Sequence, residues 1–120
     1  MEFRTRKLIK PEDLNAAGTL FGGQLLKWID EEAAIYAMCQ LNNRRVTTKF
    51  MSEINFISPA TLGDVVEIGI ETIKIGTTSI TFNCEVRVKD SEKAIIKIEK
   101  IVFVNLDENG IPSPHKKEKL

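Results

Sequence analysis

The sequence predicts an α+β fold, an antiparallel sheet wrapped around one long central helix, in the order β-α-β-β-β-β. Three observations carry this. A single stretch, Gln24 to Leu41, is apolar around most of its circumference. From Val46 onward the apolar period changes to two. The later strands are joined by hairpin-type turns and alternate apolar with polar residues, so each has one face to cover. The helix is the one element able to cover it.

Phe3 to Lys10 alternates Phe3, Thr5, Lys7 and Ile9 and reads as a short strand, stopped at Pro11 because proline cannot donate to a ladder. Pro11 to Gly23 is a long glycine-containing loop, of a length often tied to function. In the helix, Leu25, Leu26, Trp28, Ile29 and the run Ala33 to Met38 exceed one stripe and predict a mostly buried element. Asn42-Asn43 and Arg44-Arg45 follow, suiting the negative C-terminal end. Val46 to Phe56 places Val46, Thr48, Phe50, Ser52, Ile54 and Phe56 on one side of a strand. Val65 to Ile75 is rich in β-branched residues and breaks at Gly76. Thr78 to Val88 is the clearest amphipathic strand, Lys89 to Glu92 a turn, and Ala94 to Asn105 the last strand. Residues 1–120 read as one domain, with 112–120 as a charged tail.

The chain has 120 residues, with Lys+Arg 17 against Asp+Glu 17 and a formal net charge of zero. That balance argues against a nucleic-acid partner bound through a broad basic field. No apolar run approaches the roughly 20 residues needed to span a bilayer, so no membrane partner is expected. Met1 to Lys7 holds no apolar run of signal-peptide type. Cys39 and Cys84 form no CxxC pair and read as reduced thiols. A cytoplasmic location is expected.

The only histidine, His115, lies in the charged tail and reads as solvated. A Ser-His or Cys-His pair and a histidine-held metal are therefore not expected, and acid–base chemistry falls to a carboxylate. Asp30 is the candidate. Its helix neighbours at three and four positions are Leu26, Lys27, Ala33 and Ala34, and the two alanines leave space beside it. The bland alternative is a surface acid paired with Lys27, although Glu31 is better placed for that. Gly22-Gly23 permit close approach to a helix start, where free N–H groups can stabilise an oxyanion, or they make an ordinary turn. Asn15, near Gly18, has turn chemistry as its default.

The run Asn15-Ala16-Ala17-Gly18-Thr19-Leu20-Phe21-Gly22-Gly23-Gln24-Leu25-Leu26-Lys27-Trp28-Ile29-Asp30 closely resembles the hotdog-fold acyl-CoA thioesterases of bacterial short-chain and mammalian cytosolic and brain types. The resemblance extends through Val46-Thr47, Asn55-Phe56, Ala60 to Val66, Gly76 to Ser79 and Asp107 to Pro112, nearly the whole chain in order. It implies hydrolysis of acyl-CoA to a free acid and coenzyme A, with no cofactor beyond the coenzyme A of substrate and product. It implies homodimers with active sites between subunits, often joined as trimers of dimers. It places the catalytic acid at Asp30, the loop asparagine at Asn15 and oxyanion amides at Gly23 and its neighbours. Phe21, Gly22, Asn55, Gly76, Thr77 and Thr78 fall at substrate-binding positions. Two departures stand out. Ala16 and Ala17 replace polar residues that often follow the asparagine, and Thr77 replaces a basic residue, leaving Lys49, Lys74 and Arg87 as candidates for the phosphates. A non-catalytic acyl-CoA binding or sensing module would use the same pocket. A hotdog dehydratase would need a core histidine.

Overall fold

The computed structural model describes residues 1–117. The elements are β1 (Glu2–Leu8), a 3-10 turn at Pro11–Asp13, α1 (Gly22–Leu41), β2 (Val46–Met51), β3 (Ile54–Phe56), β4 (Val65–Ile75), β5 (Ser79–Val88) and β6 (Ala94–Asn105). The six strands form one antiparallel sheet in the order β1-β4-β5-β6-β2, with β3 also on β6 beside β2. The expected sheet around a single helix is present.

Alternation sets the inner face. Ile80, Phe82, Cys84 and Val86 of β5 are buried, as are Val66 and Ile68 of β4 and Ile96, Ile98, Ile101 and Phe103 of β6. They close on Leu25, Trp28, Ile29, Ala33, Ala37 and Leu41 of α1. Tyr36 meets Phe82 edge-on, with ring centroids 4.8 Å apart. Asn42 ends the helix in the left-handed conformation at φ 50°, which asparagine tolerates.

Two expectations change. The segment Val46 to Phe56 is two strands rather than one, because the register shifts between Thr48 and Phe50 and the chain breaks pairing before Ile54. The irregularity at Lys49 turns Phe50 out to solvent and upsets strict alternation. The helix is also less buried than its composition suggests: Lys27, Asp30, Glu31, Ile35 and Cys39 are exposed. Among the described residues no helix is long and apolar enough to cross a membrane.

Sheet edges fix where function can sit. β1 pairs only with β4, and β2 pairs only with β6, leaving one open edge on each side of α1.

Candidate active site

The loop between β1 and α1 is held from within. Asp13 is 2% exposed. Its carboxylate accepts the Lys10 amide at 2.9 Å and the Gln24 side-chain amide at 2.8 Å, while its carbonyl accepts the Phe21 amide at 2.8 Å. One buried acid thus ties the loop to the first turn of α1. Asn15 shapes the loop tip. Its Oδ1 accepts the Ala17 amide at 2.9 Å and the Thr19 amide at 3.1 Å, and its Nδ2 donates to Thr19 Oγ1 at 3.0 Å. Gly18 takes φ +82° at the tip, a conformation costly for other residues. The turn reading of Asn15 is therefore present in the structure, and one Nδ2 hydrogen is left to point elsewhere.

The helix opens in an unusual way. Phe21 occupies the N-cap and makes no side-chain cap. Ser, Thr, Asp or Asn would be worth about 0.5–2 kcal/mol there. With phenylalanine the first-turn amides of Gly22 and Gly23 stay free of any capping oxygen. A Cβ on Gly23 would lie 2.8 Å from the Phe21 ring, so glycine keeps that ring flat against the helix start. A cleft of about 410 Å³ lies beside it, lined by Asn15, Thr19, Gly22, Phe56, Ser58 and Ile95 among others. Phe21 and Phe56 are 55% and 58% exposed, large apolar surface for a lone chain to leave in water.

Asp30 lies two turns along α1, on the flank facing β2. It is exposed, and its Oδ1 accepts the Thr48 hydroxyl at 2.7 Å. Ala33 and Ala34 stand beside it as expected, and no ion pair joins Lys27 to Asp30 or Glu31 among the described residues. Thr48 was legible only as one of the residues sharing a side of the Val46 to Phe56 segment; nothing in its type signalled a partner for Asp30. Asp13 and Phe56 were likewise missed.

One chain does not gather the rest. Asn55 lies on the opposite face of β3 from Phe56, because neighbouring strand residues alternate, so Phe56 and not Asn55 reaches the cleft. Gly76, Thr77 and Thr78 form the β4–β5 turn at the other end of the molecule. There Thr78 O accepts the Asn105 amide at 2.7 Å, and Asn105 pairs with Val46, just past the end of α1. The helix separates that turn from Gly22 by about 30 Å. Arg87 is committed elsewhere, bonded to buried Glu67 at 2.8 Å and stacked 3.8 Å over the Phe3 ring. His115 is not solvated: its Nε2 lies 2.8 Å from Ser79 O. Among the described residues no cluster of His, Cys, Asp and Glu is set to hold a metal ion.

Residues 17–95 match the family described as the thioesterase superfamily. The chain belongs to this family. The acyl-CoA thioester hydrolase YciA of Salmonella typhimurium is 36% identical across 94% of this chain and 89% of its own length. An uncharacterized acyl-CoA thioester hydrolase of Haemophilus influenzae is 35% identical across 88% of this chain and 71% of its own. The hexameric thioesterase of Yersinia pestis superimposes with a TM-score of 0.89 at 34% identity, covering 98% of this chain and 97% of that one. An acyl-CoA hydrolase of Staphylococcus aureus, solved with butyryl coenzyme A and coenzyme A, gives 0.83 at 30% identity over 92% of this chain and 66% of that one. The helix-in-sheet architecture of this thioesterase is thus the hotdog fold that the loop-and-helix motif implied.

Proposed function

We propose that this thioesterase hydrolyses acyl-CoA to a carboxylic acid and coenzyme A, in a site completed by a second copy of the chain. The observation that carries it is a separation. The uncapped Gly22 and Gly23 amides and the Asp30 carboxylate are the chain's two obvious chemical tools. Along α1 they are about 10–12 Å apart by helix rise. A carbonyl oxygen bound at the amides and a carbon attacked under the control of Asp30 must lie within about 3 Å of their respective partners. One chain cannot supply both to one thioester. Pairing two copies through their open β2 edges, antiparallel and two-fold, sets the start of one α1 beside the middle of the other. Such pairing would also cover exposed Phe21, Phe50 and Phe56. The hexamers among the solved relatives accord with self-association.

In this site the thioester oxygen takes the first-turn amides of one subunit and the positive end of its helix. Asp30 of the other removes a proton from water as the water oxygen bonds to the carbonyl carbon. Collapse of the tetrahedral intermediate breaks the C–S bond, and the proton passes to the departing sulfur. In the alternative route Asp30 attacks the carbon directly, and the adduct breaks its C–S bond to expel the coenzyme A thiolate and leave a mixed anhydride; water then opens the anhydride, its proton passing to the thiolate. Thr48 aims the carboxylate in either route. Asn15, with its spare amide hydrogen, holds the water or the carbonyl. A positioned base is worth about 10²–10⁴ in rate and one oxyanion donor about 10²–10³. The chemistry proposed uses no metal or organic cofactor. A cytoplasmic setting agrees with two unpaired thiols.

The test is release of coenzyme A from acyl-CoAs of graded length, with and without chelator. Turnover unaffected by chelator is expected. Tight binding without turnover would make the protein a binding module, and activity restored by added zinc would overturn the mechanism.

A further inference from the structure

Asp13 grips the helix start at the two residues that flank its glycines. Its main-chain carbonyl accepts the Phe21 amide at 2.8 Å, and its Oδ1 accepts Gln24 Nε2 at 2.8 Å. Phe21 is the N-cap and Gln24 the third helical residue, so Gly22 and Gly23 lie between the two bonds. The other carboxylate oxygen, Oδ2, accepts the Lys10 amide at 2.9 Å and anchors Asp13 in the 3-10 turn. Beyond Asp13 the loop closes on its own bonds: Asn15 N donates to Thr19 O at 2.8 Å, and Leu14 bridges Leu20. Among the described residues the Gln24–Asp13 bond is the one side-chain hydrogen bond that joins this loop to α1.

This grip is a costly one. Asp13 is 2% exposed and makes no ion pair among the described residues; Lys10 pairs with Glu12 instead, at 3.6 Å. Burying a carboxylate without a counter-ion is unfavourable, and two neutral donors and the positive end of α1 are what offset it here. A Ser, Thr, Asp or Asn at the N-cap would hold a helix start with no buried charge. Such a cap would also occupy a first-turn amide. Asp13 takes the side chain of the third residue and leaves the first-turn amides free. Gly22 and Gly23 need a hold from outside, because glycine is about 1 kcal/mol less favourable than alanine in a helix, and two of them at an uncapped end invite fraying.

We propose that Asp13 and Gln24 are positioning residues for the hydrolysis: their bond holds the Gly22 and Gly23 amides ready for the thioester oxygen and keeps the Asn15 loop in a fixed relation to them. The inference rests on the acyl-CoA hydrolase reading above. Neither residue acts on the reacting atoms. Oxyanion donors work by being in place before charge develops, and a displacement of about 1 Å caused far from the chemistry can cost about 10² in rate. In the shared site the amides and the Asn15 side chain come from one chain, so a single bond sets both of them against Asp30 of the other.

The experiment exchanges donor and acceptor across the bond. Gln24→Glu sets a second carboxylate against that of Asp13, so the bond is lost. Adding Asp13→Asn to the same protein restores a pair, with the new amide nitrogen facing position 24 and the new carbonyl oxygen still taking the Lys10 amide. Gln24→Glu should lower kcat by on the order of tenfold or more, with KM changed by less than about twofold. The double variant should recover most of that loss. Asp13→Asn alone should lose less than Gln24→Glu, because the Gln24 amide can turn its oxygen to the new donor. Calorimetry with an S-alkyl coenzyme A thioether, which lacks the carbonyl, counts folded sites, and its stoichiometry and affinity should be the same in all four proteins. Wild-type kcat in Gln24→Glu, or a double variant as slow as Gln24→Glu, overturns the inference and leaves the hydrolytic reading standing. A loss of thioether sites that matches the loss of kcat also overturns it, since the bond then serves folding alone. Wild type that binds the thioether and turns over no acyl-CoA overturns the hydrolytic reading and this inference with it.

Discussion

Asp30 and Glu32 stand two residues apart on α1, and each accepts a hydroxyl from a threonine on an edge strand. Thr48 of β2 donates to Asp30 at 2.7 Å, and Thr5 of β1 donates to Glu32 at 2.6 Å. The bonding chemistry is the same, and the surroundings separate them. The Asp30 flank carries alanines, is exposed, and borders an open edge beside exposed apolar residues. The Glu32 flank faces a cavity of about 510 Å³ lined by Tyr36, Cys39, Ile35 and Arg4 among others, where Tyr36 is itself bonded to Thr72 at 2.8 Å. Both flanks border an open sheet edge, β2 beside Asp30 and β1 beside Glu32, but the exposed Phe50 ring of β2 stands on the Asp30 side alone. A carboxylate gains a catalytic role from what can approach it, not from its nearest hydrogen bond.

Substitutions can break or sharpen this contrast. Asp30→Asn should lower kcat by on the order of 10² or more with KM largely kept, because it removes the base without opening a cavity. Exposure of Asp30 predicts little change in Tm, so a large Tm loss would recast it as a structural acid. Thr48→Val should reduce kcat about tenfold, the size of one lost hydrogen bond to a charged group, and Thr48→Ser should restore most of it. Glu32→Gln should change kcat by less than about twofold, since the Thr5 bond survives with a neutral acceptor. If Glu32→Gln is the damaging change, the flanks have been assigned the wrong way round.

The cysteines give the smallest and cheapest test. Cys39 is exposed on the Glu32 flank, and Cys84 is buried under the sheet. Burial, and then the charge of Glu85, push the Cys84 thiol from 9.0 up to about 12. A thiol reagent at neutral pH should therefore modify one cysteine in the native protein and two in denaturant, with activity kept after the first. The folded state holds its Cys84 proton between those two values while the unfolded state releases it. Stability should thus fall as pH rises from 9 toward 12, and Cys84→Ala should flatten that slope.

Long, strongly patterned elements were legible in the sequence. β4 and β6 fall on the boundaries that alternation drew, and the helix end at Leu41 does too. The segment from Val46 to Phe56 was not legible as two strands, because an extra residue at Lys49 costs one register step that composition does not record. The first turn of α1 was also hidden, since Gly22 and Gly23 are poor helix formers that begin the helix only because Phe21 and Asp13 fix the entry of the chain. At the site, Asp30 and the Gly22-Gly23 pair stood out by type and spacing. Thr48 and His115 did not. Each makes its contact with a residue far away in sequence, Thr48 with Asp30 and His115 with Ser79, and His115 in a charged tail carries no sign of the turn it meets.

Complementation tests the central claim most directly: that the Asp30 flank works only against a second chain. An Asn15→Ala protein is mixed with an Asp30→Asn protein under conditions that let subunits exchange, with exchange followed by mass. In a mixed dimer one site carries both substitutions and the other carries neither. Activity should return to about a quarter of wild type for random pairing into independent two-fold dimers. Proven exchange with no recovery of activity would contradict the account, placing Asn15 and Asp30 in the service of the same chain.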